Sequence, residues 1–265
     1  GGMISITNAL FSLAKKMGVE FFFGEEVLEI YNNNGVAKGI RTFNRDVMAD
    51  VVVSNMDVYF TYKFLLKDEK KAVHTQRQQR SSSALVFFWG IKNQFPQLGL
   101  HNIFFAKDYR AEFKALFDTK QLYDDPTVYV NITAKYDSSH APAGAENWFV
   151  MVNVPENIGQ DWDSYIQRAR INIIHKLTRM LNTDIEALIA TEQILDPRGI
   201  EAKTYSFHGS LYGTSSYTAM AAFLRHPNFT SHIKGLYFCG GSVHPGGGIP
   251  LCLQSAKIVA ALIND

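Results

Sequence analysis

Five glycines and two prolines fall within residues 240–250, and no other stretch is so well suited to holding a ligand. Glycine lacks a Cβ, so a bound group can approach its backbone closely. Before this loop, residues 236–239 (Leu-Tyr-Phe-Cys) form a short apolar run that reads as a buried strand. After it, Leu251, Ser255, Ile258, Val259 and Leu262 recur at helical spacing. Strand, glycine-rich turn and helix in succession bring unpaired N–H groups and a positive dipole end beside the glycines. Such a unit suits a phosphate or another electron-rich group. A tight turn with no ligand would use the same residues, so the pattern leaves both readings open. It is not the N-terminal dinucleotide fingerprint. Gly-x-Gly-x-x-Gly after a strand, with an acidic residue about 20 positions on, is absent.

The run Leu-Tyr-Phe-Cys-Gly-Gly-Ser-Val-His-Pro-Gly-Gly-Gly-Ile-Pro at 236–250, followed by Ser255-Ala256-Lys257, resembles the C-terminal signature of one family. That family is the phytoene desaturase (carotenoid desaturase) family of FAD-dependent, amine-oxidase-like flavoproteins. The His-Pro-Gly-x-Gly-Ile-Pro core is specific. Three more stretches fit: Gly1-Gly2-Met3, Ala-Asp-Val-Val-Val-Ser-Asn-Met-Asp at 49–57, and Gly-Ser-Leu-Tyr-Gly at 209–213. The resemblance therefore spans the chain.

The resemblance implies FAD as cofactor, contacted by Gly240, Gly241, Ser242, His244, Gly246, Gly247, Gly248, Ile249 and Pro250. It places His208 and Tyr212 near the substrate. The implied fold is α/β plus α+β: the rear part of a Rossmann-type FAD domain with an inserted mixed or antiparallel-sheet substrate domain. The division is 1–57 for part of the FAD domain, 58–234 for the substrate domain and 235–265 for the closing strand, loop and helix. The implied reaction is hydride exchange between flavin and a hydrophobic, isoprenoid-type small molecule. Read from the residues alone, His244 and Pro245 could equally well only shape the turn, and His208 and Tyr212 could equally well be core. Family members open with a strand, Gly-x-Gly-x-x-Gly and helix that hold the FAD pyrophosphate. This sequence has no such unit, so the expectation is the C-terminal part of a longer flavoprotein, inactive by itself.

Composition bounds the alternatives. The chain has 265 residues, 26 Lys plus Arg against 25 Asp plus Glu, and a formal net charge of +1, which gives no footprint for nucleic acid. Two cysteines, Cys239 and Cys252, make a thin disulfide framework, so a reducing, cytoplasmic setting is expected. Peripheral membrane contact would suit a lipid substrate. Cys239, His244 and Cys252 match no zinc spacing, so no metal is expected. A flavin-free module for an apolar ligand or a protein partner is the rival of a different class, and an amine-oxidising flavoenzyme is the rival of the same class. Orphaned apolar faces are expected to drive self-association.

The positioning elements follow from periodicity. Ile6, Leu10, Leu13, Ala14 and Met17 share a helical face, ended by Gly18. Residues 19–23 read as a strand. Runs at 27–30 and 36–42 flank Asn34-Gly35, a hairpin signal, and 50–54 is another short strand. Strands are expected at 84–90, 103–105, 127–133, 148–154 and 191–195. The run at 84–90 looks too apolar to face water on either side. A helix is expected over 161–182 with Asp161 as its cap, and Thr183 with Glu186 suggests a capping box for a second. The middle of the chain thus looks like an antiparallel or mixed sheet with helices on one side. Its many aromatics fit either sheet core or an apolar tunnel.

Overall fold

The computed structural model describes residues 2–77, 79–215 and 225–264. Three sheets organise them. Strands β1 (Val27–Asn33), β2 (Val36–Thr42) and β3 (Asp46–Met48) form an antiparallel meander. The β1–β2 turn falls on Asn34 and Gly35, both with positive φ, as the Asn-Gly signal requires. A two-stranded parallel pair joins β4 (Val52–Ser54) to β10 (Leu236–Phe238). Between them in sequence lies an antiparallel sheet of β5 (Ser83–Ile91), β6 (His101–Phe104), β7 (Val128–Asn131), β8 (Glu146–Val154) and β9 (Ile189–Leu195), in the order β6-β7-β8-β5-β9.

Alternation decides which face of that sheet is core. Leu85, Phe87, Trp89 and Ile91 of β5 point the same way as Trp148, Val150, Val152 and Val154 of β8. They bury against Ile173 and Leu177 of α5 (Trp162–Leu181), which is capped as expected by Asp161 accepting from Ser164 N–H. Full burial of these aliphatic and aromatic side chains supplies most of the local stabilisation, each worth about 1.5–3 kcal/mol. The opposite face is also apolar but less covered. Ile103, Tyr129, Phe149, Met151, Val86 and Phe88 form a lateral strip across four strands, with Phe88 39% exposed and Ile103 55% exposed. The apolar run at 84–90 is therefore fully covered on one side only.

A second buried cluster joins the two ends of the chain. Ile30 and Ala37 of the meander, Val52 of β4, the short helix α2 (Val58–Phe60) with the π-turn after it, and Leu236 and Phe238 of β10 pack together. Asp57 caps α2 by accepting from Tyr59 N–H at 2.9 Å.

Two local expectations are corrected. Residues 19–23 form no strand, because no other described strand adjoins them; instead Phe21 and Phe23 gather around Phe11 of α1 (Ile4–Lys16), with centroids 4.5 and 5.9 Å away. The cap of α6 (Ile185–Leu188) is Asp184, which accepts from Ala187 N–H; Thr183 turns back to Leu181 O, and Glu186 pairs with Arg170. Left-handed Asn182 ends α5 and leaves Asp184 as the extended residue that a cap needs. The helix α7 (Pro197–Thr204) starts at Asp196-Pro197, with the aspartate as cap and proline in the first turn. The last helix, α8 (Ile249–Asn264), follows the glycine loop.

Helix α1 buries none of its residues, although its apolar stripe is real. Met3, Ile6, Leu10, Leu13, Phe22 and Phe23 are all exposed. An uncovered apolar surface of this kind promotes association. The 265-residue chain is accordingly expected to exceed monomer mass in light scattering, and Leu10→Glu with Leu13→Glu is expected to reduce that mass. A clean monomer for the parent sequence would contradict this.

His226 makes a second test possible. Its Nδ1 lies 2.7 Å from Pro227 O, to which it donates, and its Nε2 lies 3.2 Å from Tyr62 Oη. Burial against Tyr62 and Phe238 pushes its pKa down, with the Pro227 carbonyl partly opposing. The unfolded chain then binds the proton more readily, so stability is full above the ordinary imidazole value of about 6.5 and falls as pH drops below it. Denaturant midpoints should therefore decline from pH 7 to pH 5, and less steeply in His226→Gln; parallel profiles would refute the assignment.

Candidate functional site

The parallel pair β4–β10 ends in two loops that leave the sheet side by side. Cys239 N–H donates to Ser54 O at 3.0 Å, extending the pairing by one rung. A crevice lies at the carboxyl ends of the two strands, where open α/β sheets place ligands. The crevice encloses about 450 Å³. Its walls are Asn55 and Asp57 after β4, Thr204 at the end of α7 and Ser206 beyond it, Leu211 and Gly213, and Cys239, Gly240, Gly241, Ser242, Gly247, Gly248 and Cys252 from the glycine loop and α8.

Local packing explains most of the glycines. A Cβ on Gly240 would meet Asn55 Oδ1 at 2.4 Å, and one on Gly247 would meet Tyr212 Cδ1 at 2.5 Å. A Cβ on Gly213 would stand 2.7 Å from Ser242 Cα. The loop is thus pressed against the segment 211–213 on one side and against Asn55 on the other. Gly248, with φ of +98°, instead faces open space.

A buried polar node holds the loop in place. Asn228 Nδ2 donates to Phe238 O, His244 O and Ser255 Oγ at 2.9–3.1 Å. Ser255 Oγ also accepts from Gly240 N–H at 3.1 Å. Arg225 donates to Gly241 O, Tyr212 O and Thr214 O, tying the loop to the neighbouring ribbon. With these groups engaged, the backbone N–H groups of Gly241, Ser242, Gly247 and Gly248 are left pointing to no acceptor among the described residues. These four residues and Cys252 of the 16-residue helix α8 line the same crevice.

The site residues expected from sequence divide into three sets. Gly240, Gly241, Ser242, Gly247 and Gly248 line the crevice together. Gly246 and Tyr212 line an adjoining cavity of about 360 Å³, beside Phe113, Phe117, Arg225 and Leu251. His244, Ile249 and Pro250 are outside both linings. His244 is exposed, with its N–H on His226 O and a cis bond to Pro245. His208 lies in neither cavity; it stacks on Phe207 and has Nδ1 3.8 Å from Glu156 Oε2. Sequence reading missed Asn55, Asp57, Thr204, Ser206, Leu211 and the Asn228–Ser255 node. Asn55, Asp57 and Leu211 sit inside the motif stretches at 49–57 and 209–213, so that signal was present. Thr204, Ser206 and Asn228 carry none, since only the folded chain brings them to the loop. Both cysteines are free, and among the described residues no cluster suits a metal.

No family model matches the chain. It is 54% identical over its full length to 1-hydroxycarotenoid 3,4-desaturase of Flavobacterium sp. (strain P99-3), covering 54% of that protein. It is 36% identical over 98% of its length to 4,4'-diapolycopene oxygenase of Methylomonas sp., covering 53% of it. Among solved structures it resembles an oxidoreductase from Methanosarcina mazei, with TM-score 0.64, 16% identity, and coverage of 96% of this chain and 53% of that one. It also resembles a putrescine oxidase double mutant from a redesign of cofactor binding, with TM-score 0.58, 14% identity, and coverage of 94% and 51%. These two likenesses establish the fold. Over its whole length the chain is a homologue of the carotenoid desaturases, and it spans about half the length of the curated relatives it matches.

Proposed function

We propose that this chain supplies one wall of the flavin site and the substrate-facing sheet of an FAD-dependent oxidoreductase resembling phytoene desaturase. Its substrate is a hydrophobic isoprenoid, and its location is the cytoplasm or the surface of a membrane. Residues 1–57 and 235–265 belong to the FAD domain in this reading, and 58–234 is the inserted substrate domain. No described helix is long and apolar enough to cross a membrane.

The observation that carries the proposal is a junction at Leu211. Leu211 lines the polar crevice and also packs against the small cluster of Ala84, Val86 and Ile200, on which Phe149, Met151 and Leu195 of the less covered sheet face pack as well. A crevice rich in free N–H donors therefore opens beside an apolar strip that crosses the sheet. The two surfaces ask for two chemistries: a flat, electron-rich group in the crevice and a long apolar molecule on the strip. The crevice fits a flavin because its unclaimed donors match the carbonyl and ring-nitrogen edge of that ring system. Gly241, Ser242, Gly247 and Gly248 would hold that edge, and the α8 start would favour negative charge there. Bound flavin supplies the hydride acceptor or donor. The protein's own part is to bind, to orient and to keep water from the strip. Taking two hydrogens from a C–C unit would send one to the flavin as hydride and release the other as a proton, and Asp57, the one carboxylate among the described residues of the crevice wall, is already held by Arg80 and by the cap of α2.

Two substitutions separate the surfaces. In the complete gene product, Gly241→Val places two methyl groups beside the crevice, so flavin absorbance after reconstitution with FAD should drop at least about tenfold in occupancy at limiting FAD. Phe88→Glu puts a charge on the strip and should raise KM for an acyclic carotenoid with flavin occupancy unchanged. A parent protein that binds no flavin would sink the proposal and favour a flavin-free apolar binder. A Phe88→Glu enzyme with unaltered KM would sink the substrate assignment.

A further inference from the structure

Arg80 is the strongest unexplained feature of the described residues. It precedes β5 and is 4% exposed. Its Nη1 donates to Asp57 Oδ2 at 3.1 Å, and its guanidinium lies 4.9 Å from the Phe207 ring centroid. Its Nε and Nη2 are buried and meet no acceptor among the described residues. A buried guanidinium with two orphaned donors is costly, since burial of charge and of unpaired donors both oppose folding.

Its position connects it to the crevice. Asp57 is both its partner and part of the crevice wall. Residues 79–83 run beside 209–215 as an irregular ribbon, in which Arg80 stands opposite Thr214. The next residue of that ribbon, Gly213, packs on Ser242 of the glycine loop. Asp57 is heavily committed already. Its Oδ1 caps α2, and its Oδ2 also accepts from Phe207 N–H at 3.4 Å. The field of Arg80 reaches the loop as well. Arg225, whose guanidinium sits against Gly246, has its pKa lowered by burial first and by the charge of Arg80 second.

We propose that Arg80 is a positioning residue that neutralises Asp57 at the crevice wall and thereby sets how well the crevice accepts negative charge on its bound flavin. The inference rests on the flavin reading above. Without Arg80, the Asp57 carboxylate would keep its backbone donors but lose its counter-charge beside the ring, and the reduced, electron-rich form would be disfavoured. Without the Asp57 charge, the opposite holds. The two substitutions must therefore act in opposite directions, which structural damage alone would not produce.

The test is the two-electron midpoint potential of FAD in the complete gene product, read from flavin spectra against reference dyes. Arg80→Gln should weaken reduced relative to oxidised flavin roughly tenfold, a fall of about 30 mV. Asp57→Asn keeps a capping oxygen and should raise the potential, and Arg80→Lys should stay near the parent value. If Arg80→Gln fails to hold flavin, Asp57→Asn decides: a rise supports the inference, and an unchanged or lower value overturns it. Shifts of the same sign in Arg80→Gln and Asp57→Asn, or no shift with flavin retained, overturn the role of Arg80 alone. A parent protein with no flavin band overturns the flavin reading itself, and this inference with it.

Discussion

Parallel pairing between β4 and β10 joins segments separated by the entire five-stranded sheet. Each strand has only three residues, so the ladder is short and its own hydrogen bonds are few. What fixes it is the cluster around Leu236 and Phe238 and the Asn228–Ser255 node beneath the loop. Every wall of the crevice depends on this closure. Asn55 and Asp57 arrive from the first strand, and the glycines arrive from the second. A slip of one residue would turn Val52 and Phe238 outward and separate the two loops.

The same geometry explains why the chain carries so many glycines where it does. A loop that must lie flat against Tyr212 and Asn55 has no room for side chains at Gly240 and Gly247, and Ser242 of the loop leaves none at Gly213 opposite it. That intimacy leaves four residues of the crevice lining whose N–H groups have no acceptor among the described residues. Close packing on one side and unclaimed donors on the other are one structural solution. Leu211 then couples the polar crevice to the apolar sheet face, so two surfaces of opposite character meet within one side chain's width.

Much of this was legible from periodicity and motif. The hairpin at Asn34-Gly35, the helix capped by Asp161, and the strand, loop and helix that close the chain all follow from local rules. Where local rules failed, tertiary context decided. Residues 19–23 have strand composition but no described neighbour to pair with, so their aromatics gather on Phe11 instead. Thr183 has the right spacing for a capping box, yet the left-handed turn at Asn182 hands the cap to Asp184. Within the site, the glycines announced themselves by density. Asn228 and Arg80 did not, because a lone polar residue gains meaning only from the carbonyls and carboxylate that the fold brings to it. The exposed stripe of α1 is a different case: its pattern was readable, and it stays uncovered within these residues.

The central claim is that the crevice at the carboxyl ends of β4 and β10 holds a flavin ring. An experimental structure of the complete gene product with FAD tests it most directly. The account predicts the isoalloxazine ring against residues 240–248, with its electron-rich edge toward the N–H groups of Gly241, Ser242, Gly247 and Gly248 and an apolar channel leaving past Leu211. A ring bound elsewhere, with this crevice filled by protein or solvent, would contradict it.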